Sequence, residues 1–171
     1  FDIRLWKKYL MAMTAKVVYE RGNIITFKRP PQSIDWVLQS SATDTEETVY
    51  QLREGPYREY WFMDPNRNLV YRFYDSESRC GNGDRYSTGL LREIQDRNGN
   101  TLSFTYNDSC NLNQVTDGLG RTLTFSYDAS GNLIKLTDGT RILTYTYTDG
   151  VLTGFTDALG NTTTYEYDTT N

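Results

Sequence analysis

Carboxylates are the side chains of this 171-residue sequence that could do chemistry, since it contains 22 Asp and Glu residues. A pair of carboxylic acids on either side of a sugar linkage can hydrolyse it without histidine. Asp also forms turns, because its carboxylate accepts backbone N–H bonds from residues two or three positions further on. Four aspartates recur at nearly constant spacing: Asp96, Asp117, Asp138 and Asp157. We interpret them as turn residues, nominate no catalytic pair, and predict that the chain is not an enzyme.

Histidine is absent from the sequence. This excludes serine–histidine and cysteine–histidine nucleophile pairs, and zinc sites that use imidazole, within the chain. Cys80 and Cys110 lack the CxxC spacing of a metal site, so we expect two free thiols, with a disulfide as the alternative. The segment 81–84 (GNGD) faintly resembles calcium-binding glycine-aspartate repeats, but a single copy favours a plain loop. We predict no metal and no cofactor.

The charge and hydropathy patterns exclude two classes of partner. The net charge is −4, and the 18 basic residues are scattered along the chain, so no basic stripe is present to neutralise nucleic-acid phosphates. No apolar run reaches the roughly 18 residues of a membrane span. Aromatic residues make up 14% of the chain, including 14 Tyr, and this composition favours half-buried strands over helices.

The four aspartates mark a repeated unit, because they are separated by 21, 21 and 19 residues. An apolar residue stands two positions before each one: Ile94, Val115, Leu136 and Phe155. Apolar, aromatic or Thr side chains follow at plus six, eight and ten, and one residue earlier after Asp138, where the turn is shorter. The turns contain Gly and Asn. The repeat positions that we single out are Asp96, Tyr106, Asp117, Gly120, Phe125, Tyr127, Asp128, Gly131, Asp138, Tyr147, Asp157, Gly160, Tyr165 and Tyr167.

Alternation of apolar and hydroxyl residues, as in segment 123–127 (LTFSY), is the period-two pattern of a strand with one buried face. Each unit is therefore two strands and two turns, with Gly supplying positive φ angles. In the pairs Tyr127-Asp128 and Tyr167-Asp168 we expect the Tyr ring to pack on the next unit and the Asp to open the turn. A lone hairpin is marginal in water, so we predict an all-β fold of stacked antiparallel hairpins that form one continuous, twisted and curved sheet.

We divide the chain into an irregular β region, 1–90, and about four regular units of 19–21 residues over 91–171. In the first region, segments 17–27 and 62–74 (with Asp64 as the turn aspartate) match the unit imperfectly, and 28–50 and 75–90 are expected to be loops or insertions. Segment 5–13 could form a helical stripe, but we prefer a strand pair. We expect the natural protein to continue beyond this chain, because the last strand would otherwise leave an unpaired edge.

Segment 117–133 (DGLGRTLTFSYDASGNL) closely resembles the YD repeat of RHS-type proteins, as does 96–106. The resemblance is strong over 91–171 and looser over 1–90. It implies a non-catalytic segment of a spirally wound β-sheet cocoon that encloses a C-terminal toxin or effector of the same polypeptide. Animal teneurins and insecticidal toxin complexes use related shells. It also implies a secreted or cell-surface bacterial protein, with secretion-system components as possible partners. The self-cleaving aspartates of such families lie outside this chain.

The alternative function is a carbohydrate- or protein-binding repeat module of a cell-surface adhesion protein. Three tryptophans, Trp6, Trp36 and Trp61, with acids such as Asp35 or Asp64, could present the aromatic and carboxylate groups that suit sugar faces. Burial of the tryptophans is the competing interpretation.

Overall fold

The computed structural model describes residues 4–8, 13–19, 23–29, 37–40, 51–54, 59–74, 79–83 and 89–168. Over these residues the regular structure is β, in two antiparallel sheets, and no helix is present that could cross a membrane. The strands are β1 (Arg4–Lys8), β2 (Met13–Tyr19), β3 (Asn23–Arg29), β4 (Val37–Ser40), β5 (Gln51–Glu54), β6 (Tyr60–Asp64), β7 (Leu69–Phe73), β8 (Leu91–Asp96), β9 (Thr101–Tyr106), β10 (Leu112–Asp117), β11 (Thr122–Tyr127), β12 (Leu133–Thr137), β13 (Ile142–Thr148), β14 (Val151–Thr156) and β15 (Thr162–Thr164).

The smaller sheet contains β1 to β4 in sequence order. Its opening β1–β2 pair confirms the predicted strand pair at the start of the chain, and β2 and β3 pair over their whole lengths. The prediction that segment 28–50 is a loop or insertion was wrong at residues 28–29, which end β3, and at residues 37–40, which form β4. Leu38 lies opposite Phe27 of β3 in the ladder, so an apolar residue here finds a strand partner that the neighbouring prolines and polar run did not indicate.

The larger sheet contains β5 to β15, and each strand pairs with the strand that follows it in sequence. Every pairing is antiparallel. This arrangement of sequential hairpins confirms the predicted fold class. β7, before residue 90, pairs with β8, after it, so one sheet includes strands from both of the regions into which we divided the chain. The division of the chain at residue 90 stays a prediction.

The larger sheet has two chemically different faces. One, the apolar face, bears rows of opposed apolar residues, for example Phe104 opposite Val115 and Phe125 opposite Leu136. The other, the hydroxyl face, bears Ser103 opposite Thr116 and Thr124 opposite Thr137. Because side chains alternate along a strand, the pattern seen in the sequence produces one face of each kind.

The core lies between the smaller sheet and the apolar face of β5 to β9. The ring of Phe27 meets that of Phe62 edge to face, with centroids 6.2 Å apart. The cluster of buried side chains comprises Ala15, Val17, Ile25, Phe27, Leu52, Tyr60, Phe62, Tyr71, Phe73, Leu91 and Phe104. Beyond β9 the described residues place no second layer on the apolar face, and Leu123 there is 42% exposed.

Four β-bulges recur at corresponding places in the larger sheet. Each lies near the start of the first strand of a unit and leaves one residue out of the ladder: Arg92, Asn113, Ile134 and Thr153. The extra residue changes the phase of alternation, so Leu112 and Val115 both lie on the apolar face although they are three positions apart. Bulges also increase the local right-handed twist.

Candidate functional site

The repeated aspartates each organise a turn at one edge of the larger sheet, which we call the aspartate edge (turns 64–68, 96–100, 117–121, 138–141 and 157–161). Asp117 Oδ1 accepts hydrogen bonds from the backbone N–H groups of Leu119 (3.0 Å) and Arg121 (2.9 Å). Its Oδ2 accepts one from Arg121 Nε at 2.6 Å. In the turns of Asp96 and Asp157 the residue four positions on is Asn, whose Nδ2 takes the place of the Arg nitrogen at 2.7 and 2.8 Å.

The turn of Asp138 is one residue shorter, as the sequence predicted. Its Oδ1 accepts from the N–H groups of Thr140 (3.0 Å) and Arg141 (2.7 Å), and Oδ2 accepts two bonds from the Arg141 guanidinium. The donors are thus two and three residues on, whereas in the full-length turns they are two and four residues on. Asp64 in β6 has the shorter pattern, with Asn66 and Arg67 as donors.

These hydrogen bonds stabilise the ionised carboxylates. The pKa values of Asp96, Asp117 and Asp157 are lowered, mainly by a hydrogen bond from the side chain four residues further on. The donors are Asn100, Arg121 and Asn161, respectively. For Asp138 the backbone N–H of Arg141 is the main cause, and the pKa falls from 3.8 to about 2. Because each carboxylate is occupied by donors of its own turn, the geometry fits the turn-forming role. Over the described residues no group of three acidic or cysteine side chains is arranged to hold a metal ion.

The tyrosines at the ends of the second strands form a second repeated contact. Tyr106, Tyr127, Tyr147 and Tyr167 each donate a hydroxyl hydrogen bond to a backbone carbonyl of the strand before, at 2.8, 2.8, 3.1 and 2.8 Å. We call this contact the tyrosine latch. We expected the rings to pack on the next unit, but these hydroxyls reach backwards. Tyr74 of the degenerate unit reaches forwards instead, to the carbonyl of Phe104 at 3.1 Å.

The opposite edge, which we call the tyrosine edge, carries turns 107–111, 128–132 and 149–150. Asp128 forms the same turn as Asp117, and the side chain of Asn132 is the main cause of its lowered pKa. Asp149 and Gly150 have φ angles of 51° and 78°, as in the two-residue type I′ turns that suit hairpins. This turn and that of Asp138 are each one residue shorter than their counterparts, which together explain the spacing of 19 instead of 21.

A family model described as the teneurin YD-shell matches residues 61–170, more than half of the chain. The chain belongs to the teneurin YD-shell family. A search of curated proteins found no match. The matched segment begins in β6 and includes every aspartate turn and tyrosine latch described above, so this YD-shell segment is a structural repeat domain. The resemblance to YD repeats is therefore confirmed for this part of the chain.

The acceptors of the tyrosine latch in this YD-shell segment were missed at the sequence level. They are the carbonyl groups of Leu91, Leu112, Leu133 and Leu152. Each leucine stands five residues before a repeat aspartate and directly before a bulged residue. The constant spacing was a usable signal. It was overlooked because a leucine three positions before another apolar residue breaks the period-two pattern of a regular strand.

A disulfide joins Cys80 to Cys110 in the YD-shell segment, so the expectation of two free thiols was wrong. It holds segment 79–83 against turn 107–111 of the tyrosine edge, where Asn82 N–H donates to Asp108 Oδ1 at 2.8 Å. A Cβ on Gly83 would lie 2.6 Å from the carbonyl oxygen of Asp108, so the two segments pack closely. Cys110 has a φ of 66°, at the turn position where Gly131 has 88°.

The remaining predicted repeat positions are distributed over both edges and the apolar face. Gly120 and Gly160 have positive φ angles at the aspartate edge, and Gly131 has one at the tyrosine edge. Phe125 lies on the apolar face. Tyr165 follows β15, is 39% exposed, and its N–H donates to the Thr153 carbonyl.

The alternative binding hypothesis used three tryptophans and nearby acids, and those that the structure describes are not brought together. Trp61 and Asp64 lie on opposite faces of β6, since they are three positions apart in a regularly paired strand. The guanidinium of Arg72 lies 4.7 Å from the ring centroid of Trp61, and the Trp61 indole N–H donates to Glu59. The Asp64 side chain is buried in its own turn. Asp35 and Trp36 lie outside the described residues, as does the side chain of Trp6.

Proposed function

We propose that this YD-shell segment is a non-catalytic wall of a shell that encloses a toxin or effector carried C-terminally on the same polypeptide. The observation that supports it most is the uncovered apolar face of β10 to β15. Val115, Phe125, Leu136, Tyr145 and Phe155 on this face are half-buried, and no second layer covers them in the described part of the chain. An exposed apolar surface that extends over several strands is typical of a surface that binds another protein.

The two faces differ in the way that a container wall requires. Side chains of the hydroxyl face can hydrogen-bond to water. Aligned pairs on it, such as Thr116 and Thr122 with their oxygens 3.3 Å apart, can also hydrogen-bond to each other. The apolar side also contains clefts along the aspartate edge. One of about 570 Å³ is lined by Ile94, Leu102 and Leu119, and one of about 200 Å³ is lined by Leu123, Leu136 and Leu143. We therefore assign the apolar face to the inside.

The disulfide supports a place for this protein outside the reducing cytosol, because such bonds persist in secreted and cell-surface proteins. We propose that the chain is exported, and that a bacterial protein of this kind leaves the cell through a secretion system. The net charge of −4 supports a protein cargo rather than nucleic acid.

Photo-crosslinking in the full-length protein tests which face meets the cargo. Leu143 and Thr144 are adjacent in β13, both half-buried, and lie on the apolar and hydroxyl faces respectively. With a photo-reactive residue at position 143 we expect crosslinks to peptides from the C-terminal region, and at position 144 we expect few. A cargo that is digested by protease as fast as an unenclosed one, or crosslinks from position 144 alone, would contradict the proposal.

A further inference from the structure

The turn at 107–111 contains the sequence Asn107-Asp108-Ser109, which has the Asn-x-Ser pattern of an N-glycan acceptor. We propose that Asn107 is N-glycosylated, and that the cleft between turns 107–111 and 128–132 on the tyrosine edge holds the first sugar. The inference rests on the proposed export and further requires that the exporting membrane carry a transferase that attaches the glycan, since this modification is made on secreted chains as they meet such an enzyme.

The turn leaves the reactive nitrogen of Asn107 unused. Asn107 Oδ1 accepts hydrogen bonds from the N–H groups of Ser109 (3.0 Å) and Asn111 (2.9 Å), as Asp128 Oδ1 does in the next turn. In that turn Asp128 Oδ2 also accepts a bond from Asn132 Nδ2 at 2.9 Å. An amide nitrogen at this place cannot accept a bond, and within the described residues Asn107 Nδ2 donates none.

The surroundings of Asn107 suit a sugar. A cleft of about 250 Å³ separates its turn from the next and is lined mainly by polar groups, among them Ser109, Asn111, Asp128 and Ser130. Tyr127 also lines this cleft. A sugar has hydroxyl groups at its rim and an apolar ring face, so hydrogen-bonding groups beside an aromatic residue match both.

The chain contains a second acceptor pattern, of the Asn-x-Thr form, whose asparagine nitrogen is already engaged. It begins at Asn161, whose Nδ2 donates to Asp157 Oδ2 at 2.8 Å. That nitrogen helps to hold the turn of Asp157 and contributes to the lowered pKa of that carboxyl group. Asn107 differs because its nitrogen has no part in its turn.

The transfer can be written with all atoms accounted for. The donor is an oligosaccharide attached through its anomeric carbon to a polyprenyl pyrophosphate. Asn107 Nδ2 attacks the anomeric carbon and forms the new C–N bond, while the C–O bond to the pyrophosphate breaks and its electron pair leaves with the phosphate. Nδ2 loses one proton to a basic group of the glycan transferase, and the polyprenyl pyrophosphate is released. The Oδ1 atom is unchanged, so both of its backbone hydrogen bonds can form when the modified chain folds.

The test is to produce the full-length protein through a eukaryotic secretory pathway and to map glycans by mass spectrometry before and after a peptide N-glycosidase. We expect a glycan on Asn107 that is lost in Asn107→Asp and Ser109→Ala and retained in Ser109→Thr. Asn107→Asp is the matched control, since Asp128 shows that Asp forms this turn, and the variant should keep the disulfide.

Export and glycosylation are measured separately, so the proposed export and the proposed glycan on Asn107 can each fail without the other. Release into the medium reports on export, and peptide mapping is done on both released and cell-retained protein. An unmodified Asn107 in both fractions would overturn the inference, whether or not the protein is released. An unfolding midpoint of the glycosylated protein below that of Asn107→Asp would show that the cleft does not accommodate the sugar.

Discussion

Strands β5 to β9 and strands β10 to β15 are parts of one sheet, but they are stabilised differently. The apolar face of the first part is covered by the smaller sheet, whereas no described residue covers that of the second. Phe62 and Phe155 each stand two residues before a turn aspartate, yet Phe62 is fully buried and Phe155 only half-buried. The repeat position therefore determines which face a side chain occupies, whereas burial depends on what lies opposite.

The uncovered part compensates through local contacts that recur in every unit. The carboxylate of the aspartate turn satisfies backbone N–H groups at one edge, and the tyrosine latch satisfies a carbonyl near the other. Each such bond contributes roughly 1 kcal/mol to stability. In a repeat array these contributions add between nearest neighbours, so many small terms can replace a single core.

The largest expected effect comes from truncating the two matched phenylalanines. Phe62→Ala removes a buried ring from the core, and we expect it to lower the free energy of unfolding by about 3–5 kcal/mol. Phe155→Ala removes a half-buried ring, and we expect a loss of about 1–2 kcal/mol. Urea denaturation of the two variants measures the difference. Equal losses would mean that the apolar face of β14 is covered as fully as the core.

Removal of the disulfide tests the connection between the irregular insertion and the regular units. We expect the variant Cys80→Ala/Cys110→Ala to lose about 3 kcal/mol, because the unfolded chain gains freedom. The variant Cys80→Ala/Cys110→Gly should recover about 1 kcal/mol of this, since the φ of 66° at position 110 suits glycine. Denaturation with and without reductant measures both. A wild-type midpoint that does not respond to reductant would exclude a stabilising bridge.

The tyrosine latch can be tested within one strand. Tyr147→Phe removes the hydroxyl that donates to the Leu133 carbonyl, and we expect a loss of about 0.5–1.5 kcal/mol. Tyr145→Phe is the matched control, because no hydrogen bond of the Tyr145 hydroxyl is found in the part of the chain that the structure describes. Hydrogen exchange of the β12 and β13 amides reports the local effect. If both variants behave alike, the latch does not stabilise the uncovered part.

The smallest effect concerns acid. The pKa of Asp138 is lowered from 3.8 to about 2 in the folded protein, so its contribution to stability is present above pH 3.8 and is lost as the pH falls towards 2. We expect the denaturation midpoint to fall over this range, and less so in Asp138→Asn. Asn107 shows that an Asn Oδ1 can accept the backbone bonds of such a turn. An unchanged acid profile in the variant would exclude this role of the carboxylate.

Much of the fold was predictable because the signals are local. The aspartate turns and the alternation in segment 123–127 depend on residues within five positions of one another, and both appear in the structure. The β4 strand was not predicted, and the Cys80–Cys110 disulfide was only the alternative to the expected free thiols. Each depends on partners that are distant in the chain: the disulfide joins residues 30 positions apart. The tyrosine latch was predictable only in part. Its leucines repeat at a regular spacing in the sequence, but the bulge that places them on the apolar face arises only when the strands pair.

The sequence by itself determined the all-β class, the unit length, the turn chemistry and the family, because hydrogen bonds within a turn and alternation along a strand need no distant partner. Only the tertiary structure decided which part of the apolar face is buried, where the tyrosine hydroxyls donate, and which loop is bridged to which turn. Those features depend on the register between strands and on the layer that packs against the sheet. A side chain of the apolar face becomes buried only where the smaller sheet packs against it.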